Sequence, residues 1–385
     1  MDYHATTPID PRVREAMLPY LDHLFANAAS ATHQLGMKVN QAVFEARKTI
    51  ASLIDASPEE IYFTSGATES VNTAIKGLYE RESKRRSAIH MITQVTEHKA
   101  VLESFKYLES RGVRVTYLPV DSFGQISPER LIREICDETV LISIMSANNE
   151  IGSFQPLDQI SKIARKNNVF LHVDASQSIG KLPFSVEENH IDLLSFTAHK
   201  MYGPKGIGAL YVRNKDPHVS IEPLIHGGEQ EKGLRGGTLN VAGIIGFSKA
   251  CELAKEQLVT EIKSVQEKRD RLWAYIQKHI PDTKLNGHPS QRLSGNLNVS
   301  FLHIEAQGIL LALGDQVALS SSSACSSANV APSHVLKALG LPKEYLYGSI
   351  RFGLGRFTTD DEINRVGSLV VAEVLKQREK SPFFK

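Results

Sequence analysis

Short apolar runs rich in β-branched residues alternate with amphipathic helical periods over the first two thirds of the chain. Nothing else in the sequence limits the fold so much. "IYFTSG" reads as a strand entering a tight turn, and "ATESVNTAIKGLYE" as the helix after it. "AIHMITQV", "VRVTYLPV", "TVLISIM", "VFLHVDA", "DLLSFTA" and "GALYV" are further short buried strands. "HKAVLESFKYLESR", "SPERLIREIC" and "PLDQISKIARKN" supply helices between most of them. Near-continuous apolar strands separated by helices predict βαβ units, with a mainly parallel sheet covered on both faces. Before them, Val43, Ala46, Ile50, Leu53 and Ile54 form one apolar helical stripe.

The pattern changes after about Asn240, where a long charged helical stretch leads into the sparser strands "NLNVSF" and "IRFGL". A closing helix carries Ile363, Val366, Leu369, Val370 and Val374. A chain of 385 residues exceeds one compact core, so a large α/β domain followed by a smaller α+β domain is expected. The absence of a Gly/Ser/Pro linker predicts close packing between them. With 44 basic and 43 acidic residues the chain has no general basic field, and neither nucleic acid nor membrane is an expected partner. No apolar run approaches the ~18 residues of a membrane span. The N-terminal residues lack a basic region followed by an apolar one, so no signal peptide is expected. Three scattered cysteines suggest neither a disulfide framework nor zinc, and fit a reducing, cytoplasmic compartment.

In open α/β sheets, ligands sit beyond the carboxyl ends of the strands. Three polar groups fall there. "SGATE" (65–69) separates a strand from a helix and could offer backbone N–H groups to a phosphate; taken alone, a plain cap by Ser65 or Thr68 is the simpler reading. Asp174 ends "VFLHV", where a carboxylate needs a cationic partner or a capping role. Lys200 ends "LLSFTAHK", and a single lysine is ordinarily a solvated one. Together, 26 residues apart, the last two change the odds. A lysine amine can form a Schiff base with an aldehyde, and a carboxylate can keep a pyridine nitrogen protonated. Pyridoxal phosphate enzymes need that pair. "GPKGIG" has its glycines in the wrong order for a dinucleotide fingerprint, and it precedes a strand.

Cys325 lies in "SSSSACSSANVAPSHV", whose small polar composition reads as an exposed loop where a thiolate could approach a site. Cys136, after "LIREI" on an amphipathic helix, and Cys251, after "GFSKA", read as packing residues. Arg351 offers a planar fork for a carboxylate, with a structural ion pair as the plainer alternative. His98 follows a strand and opens a helix, where its ring could stack on a flat cofactor, although a lone histidine is more often structural. No paired His or Cys spacing suggests a metal.

These residues together resemble the cysteine desulfurases, the NifS/IscS-like branch of the class V aminotransferases. "TSGATES", "TEHKAV", "NNEIG", "HVDASQS", "HKMYGPKGIGALY" and "SSACSS" occur in that family's order, from "ATTP" near residue 5 to "IRFGLGRFTT" near 359. The resemblance implies an aspartate aminotransferase-like fold. Its large pyridoxal phosphate domain would span residues 12–255; residues 1–11 and 256–385 would form a small domain bearing the cysteine loop at about 320–335. It implies that Lys200 carries the cofactor, Asp174 faces the pyridine nitrogen, Gln177 bonds the ring hydroxyl and His98 stacks on the ring and moves protons. Ala67, Thr68, Thr197 and His199 would hold the phosphate, joined by Thr238 from the other subunit of a homodimer. Asn149 and Arg351 would bind the substrate L-cysteine. Cys325 would take its sulfur as a persulfide, leaving L-alanine, and pass it to an acceptor or scaffold protein for iron–sulfur assembly or related transfer. A selenocysteine lyase on the same fold would need Cys325 less. In the loop, Ser322 and Ser326 stand where the family usually has glycine and threonine; Glu229 and Gly236 differ similarly in the "HGGEQEKGLRGGT" segment.

Overall fold

A computed structural model of the protein describes residues 1–321 and 332–380. Helices α1 (Pro11–Leu21) and α2 (Gln34–Ser52) come first, the second burying the predicted stripe through Val43, Ala46 and Ile50. The strands then follow in the expected order: β1 (Ile61–Thr64), β2 (His90–Gln94), β3 (Arg114–Leu118), β4 (Thr139–Met145), β5 (Phe170–Asp174), β6 (Leu193–Thr197) and β7 (Gly208–Val212). Between them run α3 (Ala67–Glu82), α4 (Lys99–Glu109), α5 (Pro128–Glu134) and α6 (Leu157–Lys166).

The strands form one seven-stranded sheet in the order β1-β7-β6-β5-β4-β2-β3. β7 alone runs against its neighbours, being antiparallel to both β1 and β6, while the pairs from β6 through β5, β4 and β2 to β3 are parallel. Six strands therefore share one direction, and their carboxyl ends lie along one edge. Every residue of β2, β4, β6 and β7 is buried, and all of β5 but Phe170, which is why these strands read as unbroken apolar runs without alternation.

One helix, α7 (Val241–His279), joins this body to the rest. Its first turns carry Ile244, Phe247, Cys251 and Ala254 into the core beneath the large sheet. Its later turns place Val265, Leu272 and Ile276 in a second core. Phe247 meets Phe196 edge-on at 5.5 Å between ring centres, a geometry worth ~1 kcal/mol beyond burial. The contact seats the helix directly under the end of β6.

The second core supports an antiparallel sheet of β8 (Thr283–Leu285), β9 (Asn296–Phe301), β10 (Ser320–Ser321) and β11 (Ser349–Gly353), in the order β10-β11-β9-β8. Helices α8 (Ala306–Leu313), α9 (His334–Ala338), α10 (Lys343–Leu346) and α11 (Asp360–Lys380) complete it.

The chain's first ten residues form a strap between the two sheets. Asp2 bridges to Gly353 of β11, with Tyr3 N donating to the Gly353 carbonyl and Gly353 N to that of Met1. Farther along, Thr7 N donates to the His199 carbonyl and Asp10 N to that of Tyr202. A Cβ on Gly353 would stand 2.7 Å from Tyr3 N and 2.9 Å from His4 N, so only glycine allows this approach. Among the described residues, no helix is long and apolar enough to cross a membrane.

Candidate active site at the carboxyl edge of the large sheet

A cavity of about 670 Å³ opens at the shared carboxyl edge. Ala67 and Thr68 reach it from beyond β1, His98 from beyond β2, Asn149 from beyond β4, Asp174 and Gln177 from β5, and Thr197, His199 and Lys200 from β6. Arg351 of β11 closes the opposite side. The sheet thus brings together residues spread over nearly the whole chain. Thr238 is exposed and lies outside this wall, and Cys325 lies outside the described residues.

The turn after β1 resolves the choice left open by "SGATE". Gly66 is the N-cap of α3 and no side chain caps the helix; the backbone N–H of Ser65 is instead taken by Glu69 Oε2 at 2.9 Å. The first N–H groups of α3 therefore stay available at the positive end of its dipole, on the cavity wall. Gly66 has φ +152°, and a Cβ on Gly208 of β7 would lie 2.7 Å from Gly66 Cα. The turn is pressed against its neighbour so closely that side chains are excluded, leaving bare backbone. This is a cradle suited to a phosphate.

Lys200 follows β6 in a short turn. Its Nζ donates to the His4 carbonyl at 2.6 Å and to the Ala5 carbonyl at 2.7 Å. Burial, reinforced by the Arg351 charge, lowers its pKa to about 8 against the opposing pull of Asp174 and Asp2. A substantial neutral fraction near pH 8 makes this amine a usable nucleophile. Asp174 is buried at the tip of β5; its Oδ1 accepts from Ser176 N and Oγ. Oδ2 has no hydrogen-bond partner among the described residues, so one carboxylate oxygen remains for a cationic ligand group.

His98 has the structural role its position suggests and also lines the cavity. Its Nδ1 accepts from Ala100 N at 3.1 Å and so caps α4, which leaves Nε2 uncommitted. Burial and the Lys200 charge lower its pKa, partly offset by Asp174, so the ring is neutral at pH 7. His199 is lowered further, to about 4, by burial and then Lys200 and Lys205, and its Nδ1 contacts Thr6 Oγ1 at 3.1 Å. Thr197 Oγ1 donates to the Ile207 carbonyl at 3.1 Å. Gln177 is engaged by the strap: its Oε1 meets His4 Nδ1 at 3.0 Å and its Nε2 donates to the His4 carbonyl.

Arg351 realises its plainer alternative, an ion pair with Asp2 at 2.9 Å. It also faces the cavity, with Nη1 donating to the Asn149 carbonyl. Cys251 is buried in the first core as expected. Cys136 departs from expectation. It lies two residues past α5, half-buried, with Arg114 Nη2 at 2.8 Å from its Sγ. The helix stops at Glu134 because Ile135 is extended (ψ 135°).

Sequence reasoning missed the strap and two titratable groups, Glu97 and Lys181. His4, Ala5 and Thr6 line the cavity, and only the small-residue run "ATTP" hinted at a close backbone approach. Glu97 is fully buried, accepting from Gln94 Nε2 and Met145 N, with Oε2 unpartnered among the described residues. Burial, and then the nearby Asp174, raise its pKa well above that of an ordinary carboxylate. Lys181 donates to Gln177 Oε1 at 3.2 Å; burial and Lys200 lower it to about 7.

A bare helix start, a lysine of lowered pKa and an opposed carboxylate are the fittings of a pyridoxal phosphate site. Residues 1–366 match the sequence model of the class-V aminotransferases, and the chain belongs to that family of pyridoxal phosphate-dependent enzymes. Its whole length aligns with the cysteine desulfurase IscS of Anaeromyxobacter sp. (strain Fw109-5), at 49% identity over 94% of that relative. The same is true of the cysteine desulfurase IscS of Rickettsia massiliae, at 48% identity over 93% of its length. Among solved structures, a NifS-like protein superposes with a TM-score of 0.90 at 39% identity, covering 97% of this chain and 98% of that one. SspA in complex with cysteine gives 0.82 at 36%, covering 93% and 99%.

Proposed function

We propose that the protein is a cysteine desulfurase that converts L-cysteine to L-alanine and carries the sulfur as a persulfide on Cys325. The observation that carries this reading is the Lys200–Asp174 pair facing one cavity whose far wall is Arg351. Pyridoxal 5′-phosphate, when bound, supplies an aldehyde carbon and an electron-withdrawing ring. The N–H groups of Ala67 and Thr68 would hold its phosphate, with His199, Thr197 and Thr238 from a second copy of the chain completing the shell of a homodimer. Asp174 would stabilise positive charge on the ring nitrogen, Gln177 would be the partner for the ring hydroxyl, and His98 would pack its imidazole on the ring face.

Lys200 Nζ takes the proton from the substrate Cα and returns it later. Its lowered pKa suits both directions, since a group near the working pH gives and accepts with comparable ease. Arg351 and Asn149 fix the substrate carboxylate and so aim the Cα–H bond at that amine. The Cys325 thiolate then attacks the substrate sulfur. A sulfur–sulfur bond forms, the Cβ–sulfur bond breaks, and Cβ is protonated to give L-alanine. The described residues flanking segment 322–331 are tied to the site. Ser320 donates to Asp2, Ser333 to Glu150, and His334 Nε2 meets the Glu97 carbonyl at 3.0 Å. An acceptor thiol finally removes the outer sulfur by exchange, in a reducing, cytoplasmic setting and in service of iron–sulfur assembly.

The test is purified enzyme given L-cysteine with and without a thiol acceptor. Alanine should form in step with released sulfide, and mass spectrometry should find the added sulfur on the peptide containing Cys325. Cys325→Ser should bind cofactor and substrate but transfer no sulfur. Full desulfuration by that variant, or sulfur on Cys136 or Cys251, would overturn the mechanism.

A further inference from the structure

Asp2 touches three parts of the site from one position. Its Oδ1 accepts from Arg351 Nη2 at 2.9 Å, and its Oδ2 accepts from Ser320 Oγ at 2.8 Å. The strap it begins carries the His4 and Ala5 carbonyls that hold Lys200 Nζ. Arg351 is 8% exposed, with Nη1 on the Asn149 carbonyl and Nη2 on Asp2, while Nε is buried and has no partner among the described residues. A planar guanidinium held at two corners cannot turn about its own axis. Of its five N–H groups one on each Nη is thereby engaged, and the guanidinium still lines the cavity.

We propose that Asp2 is a positioning residue for the reaction. Its carboxylate fixes the plane of Arg351 so that the guanidinium lining the cavity meets the substrate carboxylate in one orientation, and it stays on Nη2 while substrate is bound. This rests on Arg351 being the partner of that carboxylate. Asp2 also lowers the net positive charge of a site that already holds Lys200 and Arg351. Through Ser320 it ties this fork to β10, the described strand leading toward Cys325.

The experiment uses the full-length enzyme with its cofactor. L-Alanine and ethylamine, alike except for the carboxylate, are titrated against the cofactor absorbance, and steady-state rates with L-cysteine are measured in parallel. Asp2→Ala should weaken L-alanine and raise the KM for L-cysteine by about tenfold, the scale of one charge-assisted hydrogen bond. Ethylamine binding should not change, whereas kcat for L-cysteine should also fall, because the same carboxylate contact aims the Cα–H bond at Lys200. Asp2→Asn, which keeps an acceptor oxygen for Nη2, should recover part of the loss. An equal loss for ethylamine and L-alanine would reduce Asp2 to a structural tie, and tighter L-alanine binding would make it a competitor; either result overturns the proposal. Arg351→Ala separates the two readings. If that variant still prefers L-alanine over ethylamine as the wild type does, the role of Arg351 falls first and that of Asp2 with it.

Discussion

Lys200 and Arg351 reach the same cavity by different routes. Lys200 stands just beyond the end of β6, at an edge where six strands finish together, so its place follows from local chain direction. Arg351 sits inside β11 of the smaller sheet and is oriented by Asp2, 349 positions away in sequence. One half of the site is built from strand–turn–helix units, each of which makes its own contribution. The other half exists only because a strap from the chain start lies across both sheets. The first half should fail by losing single chemical groups, and the second by losing alignment.

The largest effect expected at the sheet edge comes from Lys200→Ala, which should abolish turnover. Borohydride reduction of the wild type with its cofactor should leave the label on the peptide containing Lys200, and Lys205→Ala should leave it there too. Label on Lys205 would refute the assignment. Next comes Asp174→Asn, which keeps the shape of the Ser176 contact and removes the charge. Loss of an adjacent opposite charge lowers a cation's pKa by about one to three units. Cofactor should bind, and turnover should fall severalfold to several hundredfold, in step with that shift. Unchanged rates would mean that the carboxylate is only a turn residue.

The same contrast explains what the sequence disclosed. Strand ends were legible because buried parallel strands write continuous apolar runs, and the first polar residue after each run marks the edge. Asp174, Lys200 and the "SGATE" turn were found that way. His98 was seen as a helix-opening residue, and its capping bond to Ala100 fits that reading. The strap was illegible because its meaning lies in partners almost the whole chain away. Nothing local distinguishes Asp2 from any surface aspartate, or His4 from any surface histidine. Gln177 shows the converse limit. Its place was legible, but its present partners, His4 and Lys181, were not. Cys136 was misread for a local reason: the apolar period runs through Ile135, while the backbone leaves the helix one residue earlier.

Alignment should be breakable without touching any polar group. Gly353→Ala would bring a methyl within 2.7 Å of Tyr3 N and force the strap from β11. Overpacking of this kind costs about 1–3 kcal/mol, visible as a lowered Tm. Because the strap carries Asp2, the KM for L-cysteine should rise, while cofactor attachment at Lys200 survives. Equal loss at both ends of the cavity would show that the two halves are not separable.

The smallest effect links the halves through pH. Lys200 has a pKa of about 8 in the folded chain against 10.5 for an ordinary lysine, chiefly through burial and then the Arg351 charge. Below pH 8 the amine is charged in both folded and unfolded states, and the folded state bears the desolvation cost. Between about 8 and 10.5 the unfolded chain binds more protons than the folded one, so stability rises with pH. Lys200→Met removes this contribution. In cofactor-free protein its stability relative to wild type should therefore be greatest below pH 8 and shrink steadily as the pH approaches 10.5, as measured by denaturant unfolding across the range. A flat difference would mean that the amine is as well solvated in the fold as outside it. Asp2 raises the Lys200 pKa, so in an Asp2→Asn background the lower edge of the window should move below 8. If the edge stays in place, the strap's charge does not reach the lysine, and the two halves of the site are electrostatically independent.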